Sequence, residues 1–300
     1  MTRAGHDALT GQAPTGAQAI TDEVVQRFSS APDERLGFLL QKLTRHLHAF
    51  AIETGLTQAE WAAGVKFLTA VGQLCTPTRQ EMILLSDTIG LSMVVDAIAH
   101  GGLPGTTEST VLGPFYVPDA PLRPMGSSIA EMDGSGEPAH VSGVLRDTEG
   151  RPVEGAVLDI WQNAANGMYA VQDADQPSEN LRGRFVTGPD GRYSFWSVRP
   201  TDYAIPDDGP VGAMLRATGR HPWRAAHLHL IVSAPGMTPV TTHLFDDESS
   251  YLDSDAVFGV KPSLICHFEA RGPGEPGGPT GWDGRWFSLE RDIVLAPESA

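Results

Sequence analysis

The chain has 300 residues and a formal net charge of −16, from 21 basic and 37 acidic side chains. That length can bury a sizeable core without disulfides, as one large domain or two ordinary ones. The charge would repel phosphate backbones and anionic membrane surfaces, which argues against nucleic-acid binding. The only cysteines, Cys75 and Cys266, are far apart, so neither a zinc knot nor a redox pair is signalled and a reducing cytoplasm suits them. The first twenty residues lack the continuous apolar core of a signal peptide, and no stretch approaches the ~20 apolar residues of a membrane span. The expectation is a cytoplasmic protein with no membrane insertion and a flexible segment at residues 1–19.

Helical signals fill residues 20–105. Leu36, Leu39, Leu40, Leu43, Leu47 and Phe50 recur at helical spacing, and Gly55 supplies a stop. Thr57 with Glu60, and Thr78 with Glu81, have the spacing of capping boxes, which open helices near 57–72 and 78–99. Gly101 and Gly102 end the pattern, and a domain boundary near residue 105 follows.

Beyond that boundary the chain turns to short apolar runs separated by turn residues, as antiparallel sandwiches and barrels do. Asp147 to Gly150 and Gly188 to Gly191 are expected hairpin turns. Ala156 to Trp161 is one expected strand. Ala226 to Val232 is another, with His227, His229 and Ile231 on one face and Leu228, Leu230 and Val232 on the other. Gly272 to Gly284 reads as irregular loop. The fold class expected is α+β, mainly β, with a helical layer (20–105) followed by a β-sandwich (106–300).

Two histidines at i and i+2 on a strand point the same way and can grip one cation, although such pairs are ordinarily structural. Arg224 stands three residues upstream of His227, and Tyr169 and Tyr203 follow expected strands in loops. Two phenolates with two imidazoles form a hard donor set that suits iron(III) better than zinc or copper(I). No phosphate loop, nucleophile elbow or metalloprotease helix motif is present. His6, His46, His48, His100, His140, His221 and His267 have no partner pattern and are expected to be structural or exposed. Asp253 and Asp255 alternate along the chain and are expected on a solvated face.

The segments Leu112-Gly113-Pro114-Phe115-Tyr116, Asp159 to Asn163 running on to Gly167-Met168-Tyr169, Arg199 to Tyr203, and Arg224 to His229 resemble the ordered landmarks of intradiol ring-cleavage dioxygenases. The resemblance covers about residues 20–270. It implies one Fe(III) per chain, held by Tyr169, Tyr203, His227 and His229, with Tyr203 and His229 axial. It also implies a homodimer through the N-terminal helices and allows a phospholipid chain at that interface. Thr241-Thr242-His243 and the run Tyr251 to Lys261 are most similar to the hydroxyquinol-cleaving members of the family, where catechol-cleaving members usually carry Gln at the His243 position.

What the resemblance implies for chemistry is cleavage of a small aromatic diol or triol by O2, between its adjacent hydroxyls. Tyr203 would leave the metal and take a substrate proton, and Arg224 would stabilise developing negative charge. The substrate wall carried over comprises Leu84, Asp87, Val111, Leu112, Gly113, Pro114, Phe115, Ile205, Pro206 and Val257, with Arg224 also facing substrate and His243 either touching substrate or tuning the metal ligands from behind. Asp87 needs a ring hydroxyl to justify its desolvation, which makes hydroxyquinol the expected substrate and catechol or a chlorocatechol the alternative. One rival is a two-histidine, one-carboxylate iron(II) oxygenase or zinc hydrolase using Asp246 or Asp247. Another is a non-enzymatic, transthyretin-like β-sandwich that only binds an aromatic.

Overall fold

A computed structural model describes residues 15–101, 103–132 and 136–298. Residues 1–14, with His6, lie outside the described residues, as does Gly102. Residues 15–19, expected in a flexible segment, instead begin the first helix. The chain forms two compact units that divide between Thr69 and Ala70.

The first unit contains α1 (Thr15–Phe28), α2 (Glu34–Thr54) and most of α3 (Gln58–Gln73). Asp33 caps α2 by accepting from the Leu36 amide at 2.9 Å, and Gly55 ends it at φ 61°, a conformation that favours glycine. The Thr57 box forms as expected: Thr57 N donates to Glu60 at 2.9 Å and Glu60 N to Thr57 Oγ1 at 3.2 Å. Leu36, Leu39, Leu43, Leu47 and Phe50 of α2 and Trp61, Val65 and Leu68 of α3 remain exposed in the single chain.

The second unit opens with α4 (Glu81–Thr88) and α5 (Leu91–His100). The expected box of Thr78 and Glu81 does not form. Glu81 is buried and accepts from Arg79 at 3.1 Å and from the Val211 amide at 3.2 Å, so its carboxylate is taken by stronger, charge-assisted partners. α1 to α5 all lie before residue 105, but α4 and α5 belong to the compact unit that carries the strands.

Among the described residues twelve strands follow: β1 (Pro138–Asp147), β2 (Val157–Trp161), β3 (Arg182–Val186), β4 (Arg192–Val198), β5 (Tyr203–Ala204), β6 (Trp223–Arg224), β7 (His227–Ser233), β8 (Val240–Asp246), β9 (Ile265–Cys266), β10 (Glu269–Arg271), β11 (Trp286–Glu290) and β12 (Ile293–Leu295). One sheet runs β3-β2-β7-β8-β9. In the other, β1 pairs with β4 on one side and with β11 and then β12 on the other. Inward residues of both sheets, among them Val141, Phe195 and Phe287 from one and Leu158, Leu228, Leu230 and Leu244 from the other, share one core.

The sandwich is not purely antiparallel, because β11 and β12 run parallel to β1, and β9 runs parallel to β8. The tail steps from β11 to β12 over Gly143, where a Cβ would lie 1.8 Å from the Arg291 carbonyl oxygen. Of the two expected hairpin turns, Asp147 to Gly150 does fold the chain back, with Asp147 N donating to Arg151 O at 2.9 Å. Gly188 to Gly191 is a tight turn between strands of different sheets, β3 and β4, so it closes no hairpin. A short helix, α6 (Pro210–Ala217), was not foreseen, although its Pro at the first helical position is a start signal. No single helix among the described residues is long and apolar enough to cross a membrane.

Candidate metal centre

Strand β7 delivers the two imidazoles. Its two-residue period sends Leu228, Leu230 and Val232 into the core and leaves His227 and His229 on the opposite face, both fully buried. Tyr203 arrives on the two-stranded ribbon, directly opposite Arg224 in the β5–β6 register. Asp202 ties that ribbon to β7 by accepting from the Ala226 amide at 2.9 Å. Tyr169 comes from the long loop after β2, whose turn at Gly167 has φ 80° and passes close to the Tyr203 backbone.

The four polar tips converge. His227 Nε2 and His229 Nε2 are 3.0 Å apart, and the Tyr169 hydroxyl is 2.9 Å from His229 Nε2. Tyr203 and Tyr169 meet edge to face, with ring centroids 5.3 Å apart. The His227 Nδ1–H donates to the Ala225 carbonyl at 2.6 Å, which fixes the tautomer and leaves the Nε2 lone pair facing the cluster. Nitrogens 3.0 Å apart are spaced as two neighbouring ligands of one ion, each ~2.1 Å from it. The donor set therefore fits a metal ion.

Electrostatics prepare the imidazoles for that role. Burial, then the charge of Arg224, holds His227 neutral with a pKa far below the usual histidine range. Burial and the neighbouring His227 do the same to His229. Burial raises both phenols, Tyr169 further because Tyr203 is beside it, while Arg224 opposes the rise at Tyr203. Without a cation both phenols stay protonated at neutral pH. Arg224 keeps its charge although burial works against it, because the Asp255 carboxylate favours the cation.

His243 lies opposite His229 across β7 and β8. His227, His229 and His243 are the one group of three or more His, Cys, Asp or Glu side chains among the described residues with ligand atoms close enough for an ion. Ring orientation excludes a shared ion in this arrangement. His243 stacks on His227 at 4.4 Å with planes 21° apart, whereas an ion bound by two imidazoles must lie near both ring planes. His243 therefore packs against His227, His229 and Phe245.

Leu84, Pro114, Phe115 and Pro206 line a cavity of about 190 Å³ together with Val171, Gln172 and the polar run Thr78 to Glu81. Phe115 stacks on Tyr169 at 4.7 Å, which joins this cavity to the cluster. A cavity of about 150 Å³ accommodates benzene. A larger hollow of about 690 Å³ lies by Ala97, Thr107 and Lys261 and touches none of the four tips. Of the other expected wall residues, Asp87, Val111, Ile205 and Val257 are buried but do not line the smaller cavity, and Leu112 is partly exposed. Gly113 approaches the cluster directly, since a Cβ there would lie 3.3 Å from His229 Cε1. Burial pushes the Asp87 carboxyl up, partly offset by Ser92 and by Arg224.

Asp255, expected on a solvated face, is only 5% exposed and accepts from Arg224 Nε at 3.1 Å; Asp253 is exposed as expected. Trp161, expected only as the end of a strand and part of a landmark segment, stacks on His229 at 4.6 Å. The carboxylates of the rival metal site are committed elsewhere. Asp246 holds the Arg199 guanidinium, with Nη2 at 2.9 Å, and Asp247 pairs with His267 at 2.9 Å.

This chain belongs to the intradiol ring-cleavage dioxygenase family and is an enzyme. A sequence model described as "Dioxygenase" matches residues 111–295, and one described as "Catechol dioxygenase N terminus" matches residues 33–105. The chain is 50% identical to the hydroxyquinol 1,2-dioxygenase of Rhizobium sp. (strain MTP-10005), over 92% of this chain and 94% of that one. It is 48% identical to the 6-chlorohydroxyquinol 1,2-dioxygenase of Cupriavidus pinatubonensis, over 93% and 96% of the two chains. Among solved structures, the hydroxyquinol 1,2-dioxygenase of Pseudomonas putida DLL-E4 superposes with a TM-score of 0.86 at 48% identity, covering 94% of this chain and 99% of that one. The catechol 1,2-dioxygenase of Pseudomonas arvilla C-1 follows the same fold at 26% identity, with a TM-score of 0.82 and coverage of 96% and 93%.

Proposed function

We propose that the enzyme is a cytoplasmic iron(III) dioxygenase that cleaves hydroxyquinol between its adjacent hydroxyls, giving 3-hydroxy-cis,cis-muconate. The observation that carries this reading is the convergence of two phenols, two neutral imidazoles and one buried guanidinium. Phenolate and imidazole donors from Tyr169, Tyr203, His227 and His229 suit a hard trivalent ion. When bound, iron(III) supplies a Lewis acid for the two diol oxygens and opens the ring to attack by O2, both of whose atoms enter the product.

The chain's own groups then divide the remaining work. Tyr203 is the ligand assigned to accept a substrate proton at its phenolate oxygen, and Arg224 Nη1, 3.2 Å from that atom, fixes its position for the transfer. The same guanidinium offers a fixed donor for negative charge developing on substrate oxygen. Leu84, Pro114, Phe115 and Pro206 orient a flat ring and exclude water. Asp87, buried outside that cavity but near enough to Arg224 to feel its charge, is the carboxylate assigned to the third hydroxyl of hydroxyquinol, which catechol lacks. The exposed apolar stripes of α2 and α3 support a homodimer through the N-terminal helices, an apolar interface of the kind that also accepts a phospholipid chain. Oxygen uptake by iron-loaded protein, with hydroxyquinol and catechol side by side, tests the assignment.

A further inference from the structure

We infer that Asp255 is a positioning residue, which sets the orientation of Arg224 and through it the charge on the Tyr203 oxygen. Arg224 is among the largest fully buried side chains, and each of its contacts has a direction. Its Nε donates to Asp255 Oδ1 at 3.1 Å, and its Nη1 reaches the Tyr203 hydroxyl and His227 Nε2, both at 3.2 Å. Its Nη2 has no hydrogen-bond partner. Because the guanidinium is planar, a carboxylate that fixes Nε also fixes where Nη1 points.

Asp255 is itself held. Its Oδ2 accepts from the Gly259 amide at 2.8 Å, so both carboxylate oxygens are used and the side chain cannot swing away. Gly259 closes the cradle. A Cβ there would lie 3.0 Å from Arg224 Nη2, 3.2 Å from Thr110 Oγ1 and 3.3 Å from Asp255 Oδ2. The pair is buried on both sides, 2% exposed each, so its attraction is little screened by solvent. The unpaired Nη2 lies on the Gly259 side, and Nη1 is the nitrogen that faces the cluster.

The inference rests on the reading of Tyr203 as an iron ligand, and the test separates the two. Full-length, iron-loaded Asp255→Asn keeps the side-chain size and removes the charge. Its kcat should fall about tenfold or more with KM little changed. Its iron content should match the parent, and the phenolate absorption band should shift. In an Arg224→Ala background the same substitution should cost nothing further, because the two residues act as one unit. Gly259→Ala, where the backbone φ is ordinary, presses on Nη2 and should shift the band in milder form even if Asp255→Asn does not fold. An unmoved band in Gly259→Ala and in folded Asp255→Asn, or losses that multiply with Arg224→Ala, would overturn the inference. A parent protein with no visible band, or one whose band ignores Tyr203→Phe, would overturn the iron–phenolate reading instead.

Discussion

Tyr203 and Arg224 face each other across a two-residue ribbon, and the guanidinium Nη1 lies 3.2 Å from the phenol oxygen. The pairing places the cation beside the one ligand oxygen expected to change its protonation state during turnover. Arg224→Lys preserves the charge but not the planar fork, so a single ammonium cannot serve Asp255 and Tyr203 together. Turnover should fall about tenfold or more, equivalent to at least ~1.4 kcal/mol of lost transition-state stabilisation. Iron content, measured on the same sample, should stay at the parent value. Unchanged turnover would make the guanidinium a structural ion pair only.

His243 stacks on His227 with nearly parallel planes, an arrangement for packing and not for sharing an ion. His243→Phe keeps an aromatic ring in that slot and removes both nitrogens. The variant should retain iron and most of its colour, as read by metal analysis and visible absorption. A folded but iron-free variant would make His243 a ligand.

The two-residue spacing of His227 and His229 was legible because a strand's period puts both on one face whatever the rest of the fold does. Tyr169 and Tyr203 stood out as loop tyrosines after expected strands, but only family resemblance marked them as ligands, since nothing local distinguishes a ligand tyrosine from a packing one. Asp255 was misread for a reason of distance. Its partner Arg224 is 31 residues away, and an alternating Asp-Ser-Asp looks solvated until tertiary structure buries its second carboxylate. The Thr78 box failed similarly, because Arg79 and the Val211 amide claim Glu81. The parallel placement of β11 and β12 beside β1 was hidden because alternation reports which face a residue takes and not which strand it meets.

Asp87 makes two separable claims. As a partner for the third ring hydroxyl, its replacement by Ala should narrow the ratio of kcat/KM for hydroxyquinol over catechol, and an unchanged ratio would remove it from recognition. Its carboxyl is also pushed up by burial, so the folded state holds the proton more tightly than the unfolded chain. The stability this gives is complete below the ordinary carboxylate value of ~3.9 and is lost as pH rises through the folded value. Asp87→Asn should therefore gain Tm relative to the parent as pH rises toward neutrality. A Tm difference independent of pH would contradict the shift.

The exposed stripe of α2, with Leu39, Leu43, Leu47 and Phe50 each about half accessible, is too apolar to be left in water. Light scattering should return twice the 32.0 kDa chain mass. Leu43→Glu combined with Leu47→Glu should shift the protein toward monomer. A strictly monomeric parent at micromolar concentration would contradict the proposed dimer.

The most direct test of the central claim is oxygen consumption by purified, iron-loaded protein given hydroxyquinol, with the product identified by mass spectrometry. The expected result is one molecule of O2 consumed per hydroxyquinol, with 3-hydroxy-cis,cis-muconate as product and a slower reaction with catechol. Folded, iron-containing protein that binds either ring without consuming oxygen would contradict it.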